Sequence, residues 1–256
     1  MGHGWVAWVG FVANGDGTAT ARFTRRSASG GIEQAVWPQP SAPNIDVLLA
    51  VPGGIIIRDS YSPQLWLWGA TAIEPLDLGE TDIYPAVFDS GWLYAEVNTA
   101  SAMGEGKLMR FQLDGSRKER LLAFGGPDGS TAFAVNGSRL VHAKTFYPAT
   151  SIYLRDLETG QQDEIGELSY AASALALDDT HVFAGDFRYD GELERFLPVT
   201  RSNLTSISIV GESLFWSTVT YAEEGSPPTH EIYRASPTGE PLVSPTANDD
   251  SRPPFL

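Results

Sequence analysis

Four charged residues recur at one level of a repeated run in this chain: Asp59, Glu96, Lys144 and Asp186. Each comes about five residues into a run opened by an apolar residue and three turn residues, as in Val51-Pro52-Gly53-Gly54-Ile55 and Phe88-Asp89-Ser90-Gly91-Trp92. Thr218 takes the place in a further run and Val9 in the first. Just beyond, where the chain turns back, an aromatic recurs: Phe11, Tyr61, Phe146-Tyr147, Tyr189 and Tyr221. Carboxylates and an ammonium at one level, rimmed by aromatic rings, are the groups that hold a small polar ligand or a cation. The same groups also make salt bridges between neighbouring sheets, with rings filling the gaps. Buried charge is either paired or used, so both readings give these residues a role. The candidate ligand-binding set is therefore Asp59, Tyr61, Glu96, Lys144, Tyr147, Asp186, Tyr189 and Tyr221.

Local catalytic motifs are missing. There is no Gly-x-Ser-x-Gly elbow, no His-Glu-x-x-His, no phosphate loop and no Gly-x-Gly-x-x-Gly. Zero Cys removes disulfides, zinc thiolates and thiol nucleophiles together. His3, His142, His181 and His230 lie at unrelated places, with His181 at a turn and His142 inside a strand. Asn14-Gly15-Asp16-Gly17 lacks the acidic ladder of a calcium loop and reads as a hairpin turn.

The formal net charge is −15, and a nucleic-acid partner, which wants a basic stripe, is not expected. No apolar run reaches the ~20 residues that cross a bilayer, so membrane insertion is not expected either. Met1–Phe11 shows no basic segment or cleavage-like site of a signal peptide.

The elements that would position the charges are strands. Between Ile83 and Phe124 the chain breaks into Ala86–Phe88, Trp92–Val97, Lys107–Leu113 and Glu119–Phe124, separated by Gly, Asp and Ser turns. The second of these strands recurs after Val51, Phe88, Val135, Leu177 and Val210, at spacings of 33 to 47 residues. The third recurs as Leu65–Trp68, Leu108–Phe111, Ile152–Asp156, Leu193–Phe196 and Ile232–Ala235. In the unit after Leu177, Phe187–Gly191 reads as a short hairpin and Leu197-Pro198-Val199 as a poor fourth strand.

A period of this length in β sequence predicts a propeller. The N-terminus reads as a unit without its first strand: Gly4–Val12, Thr18–Arg25 and Ile32–Trp37 follow one another, and Pro253–Leu256 would supply the missing strand and close the ring. The expected fold is thus all-β, one domain over residues 1–256, a six-bladed β-propeller of four-stranded antiparallel blades. Trp5 and Trp8 would seal the closing strand, Trp92 and Trp216 would be core, and Trp66 and Trp68 would have one ring buried and the other exposed.

The repeat style, with Tyr233-Arg234 in the third strand and Asp114-Gly115 or Thr238-Gly239 after it, resembles six-bladed propellers of the TolB-like and YWTD-like kind. Neither a YWTD tetrapeptide nor a Trp-Asp dipeptide is present. The resemblance implies a periplasmic or extracellular protein with its ligand site on the loop face. The expected function is a non-enzymatic, monomeric binding module or scaffold for a protein, peptide or glycan. Its rival is a metal-assisted hydrolase, lactonase- or esterase-like, with Asp59, Glu96 and Asp186 holding a divalent cation at the channel mouth. No cofactor is expected apart from that cation. The long hairpins Thr99–Gly106 and Tyr221–Thr229 are further candidates for partner contact.

Overall fold

The computed structural model describes residues 5–15, 19–27, 29–39, 43–98, 105–125, 132–146, 149–169, 172, 174–192, 195–198, 204–210, 213–220 and 229–236. All regular elements among them are β-strands, arranged in six antiparallel sheets of sequence-adjacent strands. No helix among the described residues is long and apolar enough to cross a membrane. The chain divides into two compact units, Met1–Gly126 and Pro127–Leu256.

In the first unit, β1 (Trp5–Ala13), β2 (Ala19–Ser27) and β3 (Ile32–Val36) form a three-stranded sheet. The second sheet is β4 (Ile45–Val51), β5 (Gly54–Asp59), β6 (Leu65–Trp68) and β7 (Ile73–Leu76). The third is β8 (Ile83–Asp89), β9 (Trp92–Asn98), β10 (Gly106–Phe111) and β11 (Lys118–Phe124). In the second unit, β12 (Ala132–Asn136), β13 (Arg139–Phe146), β14 (Ala149–Asp156) and β15 (Gln162–Leu168) form the fourth sheet. The fifth is β16 (Leu175–Leu177), β17 (Val182–Ala184), β18 (Phe187–Asp190) and β19 (Arg195–Pro198). The sixth is β20 (Leu204–Val210), β21 (Ser213–Thr220) and β22 (Thr229–Ala235).

Turn chemistry sets these strands. Ser90 and Gly91 both adopt positive φ, 49° and 83°, the pair of left-handed residues a tight hairpin between twisted strands requires. Gly53 (φ 81°) and Gly137 (φ 58°) serve the corresponding turns in the second and fourth sheets.

Packing then joins the sheets in sequence within each unit. Ile55, Ile57, Trp66 and Trp68 on one face of the second sheet meet Ala21, Phe23 and Trp37 of the first. Ile56 and Leu65 join Leu93, Ala95, Val97, Met109 and Phe111 of the third. The run Ile55-Ile56-Ile57 is buried throughout because its sheet is covered on both faces, and each such side chain contributes about 1.5–3 kcal/mol on burial. In the second unit, Val141, Ala143 and Ile152 pack on Leu175, Leu177 and Val182, while Ala176 and Phe183 pack on Ile207, Leu214 and Trp216.

Three expectations need correction. In the fifth sheet the third strand is Phe187–Asp190, not Leu193–Phe196, and the supposed fourth strand begins earlier, at Arg195. The hairpin before it is the pair Gly185-Asp186, so the segment read as a hairpin is itself a strand. Trp66 and Trp68 are both buried, since residues two apart on a strand share a face. Trp8 is 46% exposed. The closing strand at Pro253–Leu256 lies outside the described residues.

Candidate ligand-binding site

The site residues ride on the second strands and the hairpins that follow them. In the second sheet, β5 ends at Asp59, whose buried Oδ1 accepts the backbone N–H of Asn44 (2.9 Å) and of Tyr61 (3.1 Å). The Ser60 N–H donates to the Asn44 carbonyl at 2.8 Å, and the Asn44 amide donates to the Ser60 hydroxyl at 2.7 Å. Four hydrogen bonds thus fix a turn that carries Tyr61 outward, 79% exposed. An aromatic ring held in water on a pinned turn is ready to bury area on a partner with little loss of freedom.

The common level expected for the four charges breaks up in the structure. Counting from the first paired residue after each turn, Asp59 lies five beyond Gly54, Lys144 five beyond Arg139, and Thr218 five beyond Ser213. Glu96 lies only four beyond Trp92. One residue of offset reverses the face of a strand, so Glu96 points to the opposite side from the other three positions. The cause is the turn: Pro52-Gly53 leaves Gly54 in the strand, whereas Ser90-Gly91 leaves Asp89 in the strand before. Asp186 lies in the β17–β18 turn, half-buried.

Arg58, which the sequence reading missed, is the residue that shares its register with Glu96. Its guanidinium is 4% exposed, donates to the Ile83 carbonyl at 3.0 Å, pairs with Asp46 and with Asp82 (3.3 Å), and lies 3.5 Å over the Tyr84 ring. Glu96, on β9 between Tyr84 and Leu108, has no hydrogen-bonding partner among the described residues, and burial pushes its carboxyl above the ordinary range. The signal in the sequence was a charge closing the continuous apolar run Ile55-Ile56-Ile57.

In the second unit, Lys144 lies 5.9 Å over the Tyr153 ring. On the same face, His142 stacks on Tyr153 at 5.2 Å and shares a hydrogen bond of 3.0 Å with the Gln162 amide oxygen. Burial holds the imidazole below its usual 6.5, so it is neutral at pH 7. Tyr189 is half-buried against the core of the fifth sheet, and Phe146, at the end of β13, is 50% exposed. Tyr147 and Tyr221 lie outside the described residues, as do 99–104 and 221–228 of the two long hairpins. Among the described residues, no three His, Asp or Glu side chains are grouped to hold a metal ion.

No family model matches the sequence, and no curated protein matches it. Solved structures do match. The β-propeller domain of the Trilobed protease from Pyrococcus furiosus aligns over 92% of this chain and 80% of its own length, at 12% identity and a TM-score of 0.59. The fold is a β-propeller. Acylaminoacyl peptidase from Pyrococcus horikoshii aligns over 92% of this chain at 14% identity and a TM-score of 0.60, and the propeller chain spans 43% of that peptidase's length. At these identities the likeness is one of fold.

Proposed function

We propose that the six sheets are the blades of one propeller, and that it is a non-catalytic binding module recognising a protein, peptide or glycan on the edge that carries the second-to-third strand hairpins. The observation that carries this reading is Tyr61, 79% exposed on a turn fixed by hydrogen bonds. Rigid scaffolds with exposed aromatic anchors on their loops are what recognition surfaces are made of. Phe146, half exposed beside the corresponding hairpin of the fourth sheet, supports the same reading. Against the metal-assisted hydrolase stands Asp59, the first ligand that reading needs: its Oδ1 is engaged by two backbone N–H groups and organises the turn. Probing peptide and glycan arrays with the protein and with Tyr61→Ala tests the proposal. Signals that the substitution abolishes support it; signals that it leaves untouched do not.

A further inference from the structure

The first strand is an open edge of unusual character. Of the twelve strands that border a sheet among the described residues, eight carry a charge or a proline, the usual guards against unwanted pairing. β1 is the longest of the remaining four: nine residues, Trp-Val-Ala-Trp-Val-Gly-Phe-Val-Ala, with neither guard. It pairs on one side with β2 through every residue from Trp5↔Ser27 to Ala13↔Ala19, and on its other side with nothing among the described residues. Alternate residues of β1 therefore turn their N–H and C=O groups outward, without partners among the described residues. Val6, Trp8, Phe11 and Val12 are 45 to 69% exposed, so water reaches the strand along its length.

The side chains beside this edge select what fits it. Gly10 pairs with Arg22, and an added Cβ at Gly10 would meet nothing within 4 Å. Arg22 is exposed on β2 and has no ionic partner among the described residues. On the same face lie Val6, Trp8, Val12, Thr20, Thr24, Arg26, Ile32, Gln34 and Val36, without a single carboxylate, in a chain of net charge −15. Gly10 puts no side chain between Arg22 and the open edge, and the next strand position is two strand spacings, about 10 Å, from the Arg22 backbone, within the length of an extended arginine and its partner's side chain.

We propose that the free edge of β1 binds an extended peptide by strand addition, and that Arg22, reaching over Gly10, selects a peptide with an acidic side chain opposite that glycine. Backbone hydrogen bonds supply the affinity and the alternating side chains the specificity, as in other strand-addition complexes. This site is separate from the Tyr61 turn and does not depend on it.

The probe is a fluorescein-labelled peptide, Thr-Val-Thr-Val-Glu-Val-Thr-Val-Thr, titrated with the intact protein by fluorescence anisotropy, beside a copy with Lys in place of Glu. Saturable binding of the Glu peptide, at least tenfold tighter than the Lys peptide, is expected. Arg22→Glu should reverse that order, and Tyr61→Ala should leave it unchanged. Arg22 is solvent-exposed, and circular dichroism of its variant should show the same β fold as the parent. Absence of binding at ~1 mM protein, equal binding of the two peptides, or an order that Arg22→Glu does not reverse would each overturn the proposal.

Discussion

Arg58 and Glu96 stand at the same register on neighbouring sheets and live in opposite conditions. Arg58 is buried and fully engaged, with two carboxylates, a carbonyl and an aromatic face around one guanidinium. Glu96 is half-buried with no bonded partner among the described residues. The five guanidinium N–H groups form a planar fork that several acceptors can share, which suits Arg to joining two sheets. A carboxylate only accepts, and the residues opposite Glu96, Tyr84 and Leu108, offer it no cation. Position in the repeat therefore does not confer a role; the surrounding donors and acceptors do.

The comparison breaks most visibly at Arg58. Replacing it with Met keeps much of the packing and deletes every polar contact, and a loss of about 2–3 kcal/mol is expected in urea denaturation. A loss under ~0.5 kcal/mol would mean that the second and third sheets do not depend on this residue. Asp59→Ala comes next: two backbone N–H groups lose their acceptor, and about 1–2 kcal/mol should go with them. Hydrogen exchange should show the Asn44 and Tyr61 amides losing protection.

His142 extends the contrast to a group kept neutral by its surroundings. Its folded pKa lies below 6.5, so as pH falls through 6.5 the unfolded chain takes up a proton that the folded chain refuses. Its stabilising effect is complete above that pH and shrinks below it, by at most about 1.4 kcal/mol per pH unit. Urea midpoints measured from pH 7.5 to 5 should show this acid limb, and His142→Gln should flatten it. The smallest effect belongs to Glu96. Its raised carboxyl is harder to ionise in the folded chain, so charge at this site costs stability above the ordinary 4.5 and costs nothing below it. Glu96→Gln should raise the melting temperature at pH 7, with the gain vanishing near pH 4; a lower melting temperature at pH 7 would show an unseen cationic partner.

Much of the architecture was legible in the chain. The strands after Val51, Phe88, Val135, Leu177 and Val210 all form, because apolar runs bounded by Gly and Asp turns admit few other structures. What failed was counting. Counting from the apolar residue before each turn assumes that the turn starts at a fixed place, yet it falls at Pro52-Gly53 in one repeat and one place later, at Ser90-Gly91, in the next. Aligning on the positive-φ glycines Gly53 and Gly91 would have put Arg58, not Asp59, opposite Glu96. The fifth sheet misleads for a related reason: its second and third strands are only three and four residues long, so Phe187–Gly191 reads as a hairpin although Phe187–Asp190 is a strand. The role of Asp59 was not legible at all, since an Asp at a strand end serves a ligand or its own turn with the same letters.

The most direct test of the central claim is binding at the Tyr61 turn. A peptide or glycan identified on arrays should be titrated calorimetrically against the protein, Tyr61→Ala and Asp59→Asn, each checked for its melting temperature. A binding module predicts that Tyr61→Ala melts within a degree or two of the parent yet binds at least tenfold more weakly, about 1.4 kcal/mol. Unchanged affinity in Tyr61→Ala would contradict it and move the site away from this hairpin edge.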